Sequence, residues 1–203
     1  MPRYWVGGTG SWTDITHWSD TSGGSSGFSI PANTDDVYFD ANSGIASDTV
    51  TIPNATVSCK NLNTTGFVGT ITASQANANI AIWGNAVLGS TGVFASTNLP
   101  QVTFSGAGIS HDITTNAQGG QSWGRVTFTG DAASSFNLID DFFAFSTSPA
   151  PVTIQAGTLN TNGKNFTCRR FICSSIATTV INMGSGTWNL TGGNATGGET
   201  VWD

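Results

Sequence analysis

Few residues of this 203-residue chain could do chemistry, and they are scattered. Asp140 and Asp141 stand side by side among Phe136, Leu138, Ile139, Phe142, Phe143 and Phe145. A glycosidase needs two carboxyl groups about 5 to 10 Å apart across a sugar bond. Neighbours in a strand point to opposite faces, so these two make a poor pair by themselves, and Asp131 and Glu199 have no evident relation to them. The residues favour a solvated turn there, with no catalytic role. A second acidic group, Asp35-Asp36 and Asp40 with Asp14 and Asp20, could offer oxygens to calcium, but no D-x-D-x-D-G loop is present. Turn and cap positions, where a carboxylate accepts backbone N–H bonds, are the expected role.

Aromatic rings are the other chemical resource. Trp5, Trp12 and Trp18 lie in a glycine-bearing segment and could serve as glycan contacts, since sugar rings stack on indole faces. Packing over bare backbone to form a cap is the expected outcome. Trp83, Trp123 and Trp188 are open to both readings. His17 and His111 stand alone, with no Ser-His-Asp or Cys-His spacing, although His111-Asp112 could be a bonded pair on a turn. Cys59, Cys168 and Cys173 form no CxxC and read as buried free thiols. Gly7-Gly8-Thr9-Gly10 lacks the order of a phosphate loop. No cofactor and no metal is expected.

The elements that must position these residues are strands. Thr (30), Gly (26), Ser (22) and Asn (17) make up nearly half the chain, whereas Glu occurs once, Lys twice and Leu six times, so strong helix formers are scarce. Twelve Phe and seven Trp supply too much apolar side chain for a disordered polymer. An apolar-Thr-apolar triplet recurs: Val102-Thr103-Phe104, then Val126-Thr127-Phe128, then Val152-Thr153-Ile154. Val50-Thr51-Ile52 precedes the series and Ile181-Asn182-Met183 extends it. Alternation in a strand turns the first and third members inward and the middle one outward. A repeat of this length with short strands and Gly/Asn/Ser turns predicts an all-β fold, a β-solenoid of stacked coils; a β-sandwich is the alternative. Residues 1–49, aromatic-rich and holding the flexible run Thr21-Ser22-Gly23-Gly24-Ser25-Ser26-Gly27, read as a cap and docking segment that covers one end of the stack. Residues 50–203 read as the repeat region, stopping in mid-pattern at Trp202-Asp203 and so expected to continue or to meet a partner.

A net charge of −6 with one basic doublet, Arg169-Arg170, argues against nucleic acid and anionic membrane surfaces as partners. No stretch approaches the roughly 20 apolar residues of a membrane-spanning helix. The start, Met1-Pro2-Arg3-Tyr4-Trp5-Val6, carries no export pattern, and the expectation is a chain not addressed to secretion.

The amino-terminal string carries a resemblance. Tyr4-Trp5-Val6-Gly7-Gly8-Thr9-Gly10-Ser11-Trp12, Thr16-His17-Trp18-Ser19, Ser22-Gly23-Gly24, Pro31 and Asp35-Asp36-Val37-Tyr38-Phe39-Asp40 resemble the opening of Thr/Gly-rich bacteriophage structural proteins. Gly157-Thr158-Leu159-Asn160-Thr161-Asn162-Gly163-Lys164 and Gly186-Thr187-Trp188-Asn189-Leu190-Thr191-Gly192 are similar to the strand repeats that follow that opening. The resemblance implies a virion component, foremost a tail fibre or tailspike part for host-surface attachment, with other virion proteins, a host-surface glycan and two further copies in a trimer as partners. A capsid decoration protein, a polysaccharide-degrading tailspike and a fragment of a bacterial adhesin are the alternatives; the lack of an export pattern sets the adhesin below the phage reading. The resemblance brings no catalytic residue.

Overall fold

The computed structural model describes residues 1–89, 93–95, 97–116, 123–144, 151–174 and 178–192. Residues 197–203, on which the expected continuation rests, together with Glu199 and Phe145, lie outside the described residues. The chain is a β-solenoid of about six turns. Its helical content among the described residues is one three-residue 3-10 turn, Ile15–His17.

Each coil crosses up to three sides in a fixed order. The chain enters with β1 (Pro2–Trp5) on the first side and β2 (Gly10–Ser11) on the second. It then doubles back through β3 (Trp18–Ser19), which pairs antiparallel with β1. The regular path follows with β4 (Asp36–Tyr38), β5 (Thr49–Ile52) and β6 (Thr56–Cys59) on the first, second and third sides. The next coil is β7 (Leu62–Asn63), β8 (Thr70–Ala73) and β9 (Asn79–Ile82). Then come β10 (Ala86–Val87), a single bridge from Phe94 to Ile71, and β11 (Gln101–Ser105). β12 (Ser110–Thr114) and β13 (Val126–Thr129) make the first and third sides of the coil after that. β14 (Ser135–Leu138), β15 (Phe142–Ala144) and the long β16 (Val152–Asn160) follow; β16 turns the corner from third side to first. β17 (Phe166–Cys168), β18 (Phe171–Cys173), β19 (Thr179–Asn182) and β20 (Trp188–Leu190) finish the described stack. Apart from the β1–β3 pair, every strand pairing among the described residues is parallel.

The triplet pattern sets the third side. Val102, Val126 and Val152 are in register, as are Phe104, Phe128 and Ile154, and all six are buried. Thr103, Thr127 and Thr153 form the outward column between them. Two members of the expected series belong elsewhere. Val50 pairs with Gly10 and Ile71 on the second side, and Ile181 pairs with Leu159 on the first, with Met183 exposed. The residue that continues the Val152 column is Phe171, only 19 positions on, because the coil shortens there.

Rings fill the interior. On the second side Phe94, Trp123, Phe142, Phe166 and Trp188 follow one another at centroid separations of 5.5, 6.0, 5.0 and 4.5 Å. Offset and tilted stacking of this kind adds about 0.5–1.5 kcal/mol per pair beyond burial. Corners need glycine where coils approach closely: a Cβ on Gly157, whose φ is +101°, would lie 2.9 Å from the Ser134 carbonyl oxygen.

The boundary expected between residues 49 and 50 falls inside β5, and β1 and β4 of the first segment belong to the same parallel sheet as β7. Residues 1–49 therefore supply the first coil, the crossing segment over its end and the start of the second coil.

Candidate functional site

Trp5, Trp12 and Trp18 meet inside the amino-terminal end of the rod, all fully buried. Trp18 packs edge-on against Trp5 at 5.2 Å and Trp12 at 5.1 Å, and Phe39 and Phe67 continue the cluster into the coils. Trp5 Nε1 donates to the Gly8 carbonyl at 2.8 Å and Trp18 Nε1 to the Trp12 carbonyl at 2.7 Å. His17 stacks on Trp5 at 4.5 Å and its Nδ1 donates to the Val6 carbonyl at 2.9 Å. Gly10 is required beside it, since a Cβ there would lie 2.1 Å from His17 Nε2. The motif glycines, His17 and the tryptophans thus build one plug, and none of these three indoles is open to a sugar.

Asp140 and Asp141 occupy the corner between β14 and β15, and each serves a different neighbouring coil. Asp140 Oδ1 accepts from Thr115 N at 2.7 Å and Thr115 Oγ1 at 3.1 Å. Asp141 accepts from Asn165 N at 2.8 Å and Asn165 Nδ2 at 3.0 Å, and these bonds hold its carboxyl below the usual range. One ties the coil behind and the other the coil ahead, so they do not face a common substrate. The other carboxylates act likewise. Asp14 caps the 3-10 turn by accepting from Thr16 Oγ1 and N, Asp40 accepts from Asn42 N, and Asp35 accepts from the Met1 amine and Ala32 N. Among the described residues no group of three or more His, Cys, Asp or Glu could hold a metal.

His111 is not bonded to Asp112. The two are neighbours in β12, where Asp112 points out and His111 is buried. His111 Nδ1 donates to the Gly84 carbonyl at 2.6 Å, its ring stacks on Phe136 at 5.1 Å, and buried Nε2 has no partner. Burial keeps its pKa below 6.5. The cysteines are free; burial pushes the Cys59 thiol up strongly and the Cys168 thiol to about 12, so neither is a nucleophile at neutral pH.

A feature that sequence reading missed runs along the first side. Asp36, Asn61, Asn85, Asp112, Asn137, Asn160 and Asn182 occupy one column, one per coil. Asn61 Nδ2 donates to Asp36 at 2.5 Å, Asn137 Nδ2 to Asp112 at 3.1 Å, Asn160 Nδ2 to Asn137 at 2.8 Å and Asn182 Nδ2 to Asn160 at 2.7 Å. In between, Asn61 and Asn85 accept from the backbone N–H of Asn85 and Asp112. Two positions away Tyr4 and Tyr38 stack on the outer surface at 4.8 Å. The recurrence of Asn or Asp every 22 to 27 residues was the available signal, hidden among 17 asparagines. Trp83, at the corner after β9, is 39% exposed, Trp188 in β20 is half-buried against the core, and Trp123 is buried.

The rod therefore offers solvent a surface of hydroxyls, amides and few charges, with no nucleophile and base brought together among its described residues. No protein-family model, no curated protein and no solved structure matches the chain.

Proposed function

We propose that the chain is a structural component of a phage virion, a part of a tail fibre or tailspike that serves host-surface attachment. The observation that carries this reading is the identity of the plug. The residues that resemble the phage opening, Trp5, Gly10, Trp12, His17 and Trp18, are the ones that close the end of the solenoid. The string is thus tied to a structural job and not to a reaction. A closed rod with Thr, Ser and Asn along its sides suits a spacer that projects from a particle and presents hydroxyls and amides to neutral glycans. Trimeric assembly and a virion location belong to the same proposal.

Immunogold labelling of source particles with antibody against this chain is the direct test. Label on the tail supports the reading, label spread over the shell replaces it with a decoration protein, and no label on any particle removes it. Incubation with host capsule or lipopolysaccharide is expected to release no oligosaccharide. Release that Asp140→Asn or Asp141→Asn abolishes, with the melting transition retained, would install the enzyme in its place.

A further inference from the structure

The charge of the molecule is concentrated at one end. Residues 1–49 hold six carboxylates, Asp14, Asp20, Asp35, Asp36, Asp40 and Asp48, against the single cationic side chain of Arg3. That segment therefore carries five of the six net negative charges of the chain. Arg3 is buried and committed to Ser29 through its Nε and guanidinium bonds, and the Met1 amine pairs with Asp35. The other five carboxylates have no cationic partner within salt-bridge distance among the described residues.

The same end exposes apolar side chains. Ile15 is 51% exposed, and Phe28 and Ile30 are each 37% exposed. They are neighbours: Gly27 N donates to the Ile15 carbonyl at 3.1 Å and Phe28 N to the Trp18 carbonyl at 3.1 Å. Phe28 and Ile30 alternate along one extended segment laid outside β3, which is itself the outermost strand of the first side. Beneath them the tryptophan plug gives a rigid base. Asp14, which caps the turn that carries Ile15, and Asp20, the residue after β3, set exposed and uncompensated carboxylates at the edge of this patch, and an apolar centre with charge at its edge has the anatomy of an interface.

The geometry points to this amino-terminal end face as a docking surface for a protein whose contact patch is apolar at its centre and basic at its rim. Charge chooses the occupant. A second copy meeting face to face would set one acidic rim against another, and an anionic lipid surface would be repelled in the same way. A basic protein gains on both counts: its lysines and arginines are drawn to the rim, and Ile15, Phe28 and Ile30 leave water against its centre. The inference rests on the proposed function for the partner's whereabouts, which place it among the other proteins of the virion.

The test uses source particles grown without this chain and the full-length protein added back, with co-sedimentation as the readout. Asp20→Lys reverses an exposed carboxylate that holds no turn among the described residues, Asp14→Asn keeps a capping oxygen while removing the charge, and Phe28→Ser with Ile15→Thr strips the apolar centre. Circular dichroism and melting temperature check that each variant is folded. Wild-type protein is expected to bind, the apolar double variant to bind roughly tenfold or more weakly, and the charge variants to lose affinity chiefly at low salt. Folded variants that bind like wild type overturn the docking surface while leaving the virion reading standing. Wild-type protein that binds no particle, with no particle labelled by antibody, removes the virion reading itself. Sedimentation velocity of the free protein adds the last arm: self-association abolished by the same substitutions would assign the face to a second copy and overturn the basic partner.

Discussion

At the scale of single residues, the side chains of greatest chemical interest are spent on the fold. His111 shows the cost. Its Nδ1–H is satisfied by Gly84, so neutral Nε2 is a bare acceptor in a site lined by Phe104 and Phe136, and a proton there would meet no acceptor. Its folded pKa lies below the ordinary 6.5, so the unfolded chain takes up the proton first. Stability is then complete above about pH 6.5 and is lost as pH falls toward the depressed folded value. Urea titrations from pH 7.5 to 5 are expected to show this decline, and His111→Phe is expected to flatten it. A separate decline begins below the ordinary carboxylate value of 3.8, where Asp141, Asp131 and Asp35, all held low in the fold, become protonated. His111→Phe should leave that second decline in place. The role of the tryptophan cap was legible in the sequence, because large rings beside glycines have little else to do. The role of Asp141 was not, since its partner Asn165 lies 24 residues away and adjacency to Asp140 drew attention to the wrong neighbour.

At the scale of the strand, register decides what a residue does. Phe128 is fully buried between Phe104 and Ile154 while Thr127 faces out, so Phe128→Asp places an unpaired charge inside the stack. That substitution is expected to cost more than about 4 kcal/mol and abolish the cooperative melt, whereas Thr127→Asp stays within about 1 kcal/mol. Equal melting temperatures would show the register to be wrong. The amide column gives a finer test. Asn160→Ala removes one donated and one accepted side-chain bond, and a loss of about 1–2 kcal/mol in urea unfolding is expected. The V-T-F triplets made the third side readable, because composition and alternation agree there. Val50 and Ile181 misled for a physical reason: each side of a solenoid needs the same inward-outward alternation, so a triplet reports that it is a strand and not which side it occupies. Corners absorb insertions and deletions, letting the spacing from one third-side strand to the next fall to 19 residues, and that blurs the period.

At the scale of the whole molecule, the prediction is spectroscopic: circular dichroism should show β-structure with negligible helix, as one 3-10 turn among the described residues implies. A helical fraction near the roughly one-third of an average globular protein would contradict the fold. The stack also has a direction. Strands run across the rod and the backbone bonds that join them run along it, each coil adding about 4.8 Å of length. A pull on the amino-terminal face therefore loads those bonds end-on, and the interface with the fewest of them yields first. Among the described register pairs the fewest join the first coil to the second: three between β1 and β4 and two between β2 and β5. The coil of β10, with two pairs to β7 and the single Phe94–Ile71 bridge, is backed by four more between β9 and β11. Under tension the first coil is therefore expected to peel away before the coils beyond it, with the ring contacts of Trp5 and Trp12 on Phe39 resisting the opening.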